Sequence, residues 1–267
     1  MRHFWDRSFV IIWENKQGDY TMDSHITLPK CILKQFADEK QSLHCFDVAK
    51  KEYRKARARS FNTEEGHYSD EVELILNKEI ETPLGTAISI IKQHCDEDHI
   101  KLKNYEILKK YMHSLLCRSL EMKQTVKENT IFGQFMDPQL LHDWSAIDGL
   151  DKAQQDKWWD DYSICLLTCS NGEEFVLPQQ GYCDFLCYGQ PTIIMPLTPT
   201  IACCLYADNN GRGCQVEMVE NFIEKVNSFS LEKQIKKGYG CVISSKKEII
   251  NNLVKNYCIM KQNVAQI

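Results

Sequence analysis

Between Val72 and Ile91 apolar side chains recur at helical spacing, and this run restricts the fold more than any other part of the chain. Projected at about 100° per residue, Val72, Leu76, Ile80, Leu84, Ala87, Ile88 and Ile91 form one broad stripe. The pattern predicts an amphipathic helix from Asp70 to about His94. Ser69 can cap it, and Asp70 and Glu71 suit the positive end of its dipole. A second helical pattern, from about Asn104 to Lys127, presents Leu108, Tyr111, Met112, Leu115 and Met122 on one side, so the two stripes are expected to pack together. A third helix is expected near 138–147, with Asp137 as cap and Pro138 as first helical residue.

Glu73 conflicts with the first stripe. It projects within about 20–30° of the stripe's centre, where a lone carboxylate must be paired, protonated or bound, because burying unpaired charge is costly. Arg118, on the flank of the second stripe beside Tyr111, is the cation placed to meet it. Two readings stay open: an ion pair that fixes helix register, or a functional polar pocket built around the pair.

The remaining segments alternate between strand and helix signals. Phe9-Val10-Ile11-Ile12-Trp13 reads as a buried strand, Leu28–Phe36 as a short helix opened by Pro29, and Leu43–Val48 with the stretch after it as a hairpin. Trp158–Thr168, Glu174–Leu177 and Ile193–Tyr206 are strand-like, followed by a turn signal at Asn209-Asn210-Gly211. A helix near 216–235, a strand at 240–243 and a helix over 246–257 close the chain. The expected class is α+β: a central antiparallel helix pair packed on a mixed or antiparallel sheet assembled from both ends of the chain. No repeat or linker calls for a boundary, so one domain over residues 1–267 is expected, with a helical centre at 69–150, a strand-rich part at 156–210 and C-terminal helices at 216–258.

Composition narrows the function classes. With 43% apolar and 26% charged residues the chain has the balance of an ordinary globular protein. A net charge of −5 provides no global field for a phosphate backbone, so there is no strong nucleic-acid signature. The one local exception is Lys50–Arg59, which is either a solvated strand face or a contact for an anionic partner. Thirteen cysteines, an odd number with no secretory signal ahead of them, point to reduced thiols in the cytoplasm. The N-terminal apolar run is far below the roughly 18 residues of a membrane span.

Four side chains carry the strongest chemical suggestions. His25 precedes the Pro29 helix, and Lys34 follows one turn later; with Glu73 and Arg118 they come from three segments that can converge. Glu73 would then serve as metal ligand or general base, Arg118 and Lys34 would bind an anion, and His25 would transfer protons. His67 is a weaker addition to the same region. His94-Cys95-Asp96-Glu97-Asp98-His99 holds every common metal-ligand type but matches no closed zinc spacing, and Cys165-x-x-x-Cys169 and Cys183-x-x-x-Cys187 lack the usual zinc-ribbon interval. No metal site is therefore assigned; no cofactor is specified, and a divalent metal stays open. P-loop, dinucleotide, nucleophile-elbow and His-Glu-x-x-His motifs are absent.

In order along the chain, several of these features resemble domain-of-unknown-function family 4238. The run from His25-Ile26-Thr27-Leu28-Pro29 to Phe36 is similar to that family's opening signature, with Ile26 in place of its tyrosine and Lys34 in place of its arginine. Tyr68-Ser69-Asp70-Glu71-Val72-Glu73 with Glu79-Ile80-Glu81 looks like its tyrosine and paired-glutamate helix, Arg118 like the arginine of its next helix, and Ile194–Pro199 like its late strand motif. Leu177-Pro178-Gln179-Gln180-Gly181 lacks the serine and aspartate of the family's Ser-Asp-Asn-Pro segment. The resemblance spans about residues 23–258. It implies a bacterial or mobile-element intracellular protein and assigns no reaction, cofactor or substrate. The sequence thus leads to a non-catalytic binding or regulatory module, with a protein or small anionic ligand as partner; the alternative is a hydrolase or nuclease-like effector acting on phosphoesters.

Overall fold

The computed structural model describes residues 23–65, 67–94, 102–119, 137–155, 162–169, 172–187, 190–207, 214–217 and 222–264. The expected strand at 8–14, the turn at 209–211, the end of the second helix at 120–127 and residues 95–99 of the acidic run lie outside them.

Pro29 has φ −68° and starts a short helix, α1 (Lys30–Leu33), which a 3-10 turn continues to Phe36. Ile32, Leu33 and Phe36 are thereby fully buried. The chain then makes the expected hairpin of β2 (Ser42–Asp47) and β3 (Glu52–Arg57). β2 pairs on its other side with β11 (Cys241–Ser244), nearly two hundred residues later, and β11 with the two-residue β6 (Leu177–Pro178). The four-stranded antiparallel sheet β3-β2-β11-β6 is thus built from both ends of the chain, with β3 as an edge. A two-stranded pairing of β1 (Asp23–His25) with β4 (Thr63–Glu65) lies beside it in sequence.

A five-stranded mixed sheet takes the order β10-β5-β9-β8-β7, with β5 (Tyr162–Thr168), β7 (Cys183–Cys187), β8 (Gln190–Pro196), β9 (Ile201–Ala207) and β10 (Cys214–Glu217). Here three expectations fail. Of the expected strand Glu174–Leu177 only Leu177 is in a strand, the two-residue β6. The run Ile193–Tyr206 is not one strand but the β8–β9 hairpin, because Thr198 Oγ1 accepts the backbone N–H of Ile201 at 2.9 Å and of Thr200 at 3.2 Å, reversing the chain beside Pro199. The C-terminal helical region starts at α6 (Phe222–Lys237), and Cys214–Glu217 instead pairs in parallel with β5. α7 (Lys247–Val264) follows β11.

Strand alternation sets the layers. Ile164 and Leu166 of β5, with Met195, Cys203 and Leu205, face a core that includes the helical centre and Leu43, Cys45 and Ile243 of the other sheet. Cys165, Leu167, Ile194 and Ala202 face the opposite way, onto Ile223 and Val226 of α6. The architecture is α+β, with antiparallel pairing packed against helices.

The long apolar stripe is helical but not continuous. Ser69 caps α2 (Asp70–Leu76), its side chain accepting the Val72 N–H at 3.4 Å; a π turn follows (Asn77–Glu81), then α3 (Thr82–His94). α4 (Leu102–Cys117) runs antiparallel to this composite helix: Arg118 beyond its end meets Tyr68, whereas Lys110 bonds Glu79 at 3.0 Å. α5 (Pro138–Gln155) packs on α4 and on α2, with Asp137 Oδ1 accepting the Gln139 N–H at its start.

Candidate functional site

The π turn decides which carboxylates face α4. Val72 and Leu76 centre the buried face of α2, and Leu84, Ala87, Ile88 and Ile91 that of α3. Drawn on an unbroken helix these faces stand about 90° apart. One extra residue in a wide turn takes up nearly that angle. Glu73 accordingly lies about 80° from the buried centre of its own helix, at the border of the stripe rather than in its middle. It is half-buried, with Oε1 enclosed. The same turn changes its relation to Glu81. Eight residues of α-helix would put the two about 80° apart; with one residue absorbed the offset falls to about 20°. Glu73 and Glu81 therefore share a face.

That face meets Arg118. The described helix ends one residue earlier, so Arg118 sits in a turn rather than on the helix flank, its N–H still bonded to the Ser114 carbonyl at 3.0 Å. Its positive charge suits the C-terminal end of α4. Only 1% exposed, Arg118 donates from Nε to the Tyr68 hydroxyl at 3.2 Å, and its guanidinium lies 5.3 Å from the Tyr68 ring centre. Tyr68 Oη in turn donates to the Ile26 carbonyl at 3.1 Å. One phenol thus joins the end of α4 to the segment after β1. Burial acts against the guanidinium charge, but Tyr68, Glu81 and Glu73 outweigh it and raise the Arg118 pKa. Burial pushes the Glu81 carboxyl up, with Arg118 opposing and Glu73 reinforcing. Burial likewise raises Tyr68 and, more strongly, Tyr111. Cys31 of α1 is pushed up to about 12 by burial and by Glu81, which leaves it a thiol.

Next to this cluster stands a second polar group. His67 is buried; its Nδ1 lies 2.8 Å from Glu64 Oε2, and its ring stacks on that of His142 at 3.8 Å between centres. His142 Nδ1 donates to the His67 carbonyl at 3.2 Å, and Asp143 accepts the Ser69 N–H at 2.9 Å. Burial raises the Asp143 pKa, with the Ser69 bonds opposing. These contacts bind α5 to the start of α2.

Of the four residues singled out from sequence, two are linked by charge. Glu73 and Arg118 share one electrostatic cluster. Lys34 is exposed on the 3-10 turn after α1. His25 is the last residue of β1, its backbone opposite Thr63 and adjacent to the Ile26 carbonyl that Tyr68 holds. Sequence reasoning quoted Glu81, which only the π turn brings round, within the family-like helix alone and gave it no role, and it passed over His142 and Asp143, whose partners lie more than seventy residues away. Among the described residues no group of three or more His, Cys, Asp or Glu can hold a metal ion, no disulfide joins the cysteines, and no helix is long and apolar enough to cross a membrane. The chain matches none of the protein-family models, curated proteins or solved structures with which it was compared.

Proposed function

We propose that this protein is a cytoplasmic, non-catalytic binding or regulatory module in which Arg118, Glu73 and Glu81 form a structural charge cluster, and that its likeness to domain-of-unknown-function family 4238 reflects membership. The observation that carries this reading is the enclosure of Arg118, 1% exposed and held by the Tyr68 hydroxyl, while Lys34 stands exposed on another element. A sealed guanidinium between packed helices fixes their register but does not meet a substrate phosphate. The shared face of Glu73 and Glu81 supplies its counter-charge. A protein or small anionic ligand remains the partner this reading calls for.

The alternative, a hydrolase or nuclease-like effector on phosphoesters, draws on the Glu64–His67 contact one residue from Tyr68, since a carboxylate-oriented imidazole is a usual proton-transfer unit. A single assay separates the two. Purified protein with Mg²⁺ or Mn²⁺ is incubated with nucleotides and with single- and double-stranded nucleic acids, beside Glu73→Gln and His67→Ala. The module reading expects no turnover above buffer in any of them. Wild-type hydrolysis abolished in either variant, with folding intact by circular dichroism, overturns it.

A further inference from the structure

Charge is unevenly distributed along this chain. Residues 30–59 hold nine Lys and Arg against four Asp and Glu, a net +5 in a protein of net −5, so the remainder carries −10. Part of that excess lies along one sheet edge. β3 is the edge of its sheet, α1 packs against the 3-10 turn Ala58–Ser60 that follows it, and the cations at the β2–β3 turn and along β3 are exposed. Two of them are locally matched: Arg54 lies 3.6 Å from Asp47, and Lys55 2.8 Å from Asp38. Lys50, Lys51, Arg57 and Arg59 enter no ion pair among the described residues. β3 (Glu52–Arg57) rises about 3.3 Å per residue and so spans about 17 Å, with Lys50 and Lys51 in the turn before it and Arg59 in the 3-10 turn after it.

We infer that this edge is a binding surface for the phosphate backbone of a nucleic acid, read without sequence preference. An acidic protein segment is less well served, because useful protein affinity rests on apolar anchors in pockets, and this edge offers none. Ala58 and Phe61 are buried, and Tyr53 has its hydroxyl 2.6 Å from His44 Nδ1 and Lys247 Nζ 4.8 Å from its ring centre. The same engagement of Tyr53 removes a platform for base stacking. What is left is spaced positive charge with one exposed acid, Glu52, among it, which suffices for phosphates because counterion release drives that association. A charged edge strand also resists pairing with other strands, and the test must separate that role from binding. The inference is independent of the Arg118 cluster.

Full-length protein is titrated into fluorescein-labelled oligonucleotides of differing sequence, single-stranded and duplex, and into labelled polyglutamate, with anisotropy read from about 50 to 200 mM salt. If Lys50, Lys51, Arg57 and Arg59 each neutralise one phosphate, the slope of log K against log salt is about −3.6. The triple variant Lys50→Glu, Arg57→Glu, Arg59→Glu should reduce it to about −0.9 and weaken binding more than tenfold. That variant keeps the edge charged, so its melting curve should match wild type. Three results overturn the assignment: no oligonucleotide binding at the lowest salt, equal binding by the triple variant, or polyglutamate bound as tightly as nucleic acid. Aggregation of the corresponding Gln triple variant, with wild type binding no oligonucleotide, would identify the cations as edge guards instead.

Discussion

Replacing Arg118 by Met removes the charge from the helix interface while keeping most of the volume. The loss can be worked from its contacts. Arg118 is enclosed, donates to Tyr68 Oη, and acts electrostatically on Glu81 and Glu73. Removing it forfeits the charged hydrogen bond to Tyr68 and the Coulombic support of two half-buried carboxylates, which together costs about 2–4 kcal/mol. For a chain of this size that corresponds to a fall in Tm of roughly 10 °C. The loss should also depend on pH. Burial already holds the Glu81 carboxyl above its ordinary 4.5, and Arg118 pulls it back. Without Arg118 the folded-state value rises further. A carboxyl with a raised folded pKa contributes its stability fully below the unfolded value, and that contribution disappears as pH rises through the folded one. The deficit of Arg118→Met should therefore be largest at neutral pH and shrink as pH falls toward 4.5. Urea unfolding followed by circular dichroism across that interval measures it. Adding Glu81→Gln to Arg118→Met should recover at least about 1 kcal/mol, because the two sites are coupled. A deficit under about 1 kcal/mol with no pH dependence would refute the view that this guanidinium neutralises the paired glutamates.

Other outcomes follow from single contacts. Gly181 has φ +88°, and a Cβ there would stand 2.8 Å from Leu115 Cδ1, so Gly181→Ala should cost about 2–4 kcal/mol in denaturant unfolding. Gly238 has φ +74° with open space around it, and Gly238→Ala should cost only about 1 kcal/mol. Asn227 is buried between the Val176 N–H at 2.9 Å and the Glu174 carbonyl at 2.8 Å; Asn227→Leu strands both and should cost about 2–4 kcal/mol. The Lys55 ammonium, with backbone bonds from Ser42 and Lys40, holds Asp38 at about 2, below its ordinary 3.8. A lowered carboxylate stabilises above the unfolded value and loses that contribution as pH falls through the folded one, so Lys55→Met should raise the Asp38 value in an NMR titration and flatten the acid limb between pH 3.8 and about 2.

Where local spacing alone decides structure, the sequence could be read directly. The Ser69 cap and the spacing of Val72, Leu76 and Ile80 announce a helix, and β2, β3, β5 and β11 stand near their expected positions. The β8–β9 hairpin could have been found, since Pro199 inside an apolar run argues against an unbroken strand. Glu81 could not. Periodicity assumes a constant turn, and the single wide turn at Asn77–Glu81 resets it by about one residue.

The amino-acid order by itself determined the α+β class, the helix caps, the excess of cations between Lys30 and Arg59, and the suspicion attached to Glu73 and Arg118, because each follows from neighbours within a few turns or strand residues. Only the tertiary structure decided that β2 pairs with β11, that Tyr68 joins Arg118 to Ile26, that His142 stacks on His67, and that Glu73 is half-buried rather than sealed. Those relations link residues tens to nearly two hundred positions apart. Which distant segments meet is set by burying one shared apolar core, a property of the whole chain that no local window contains.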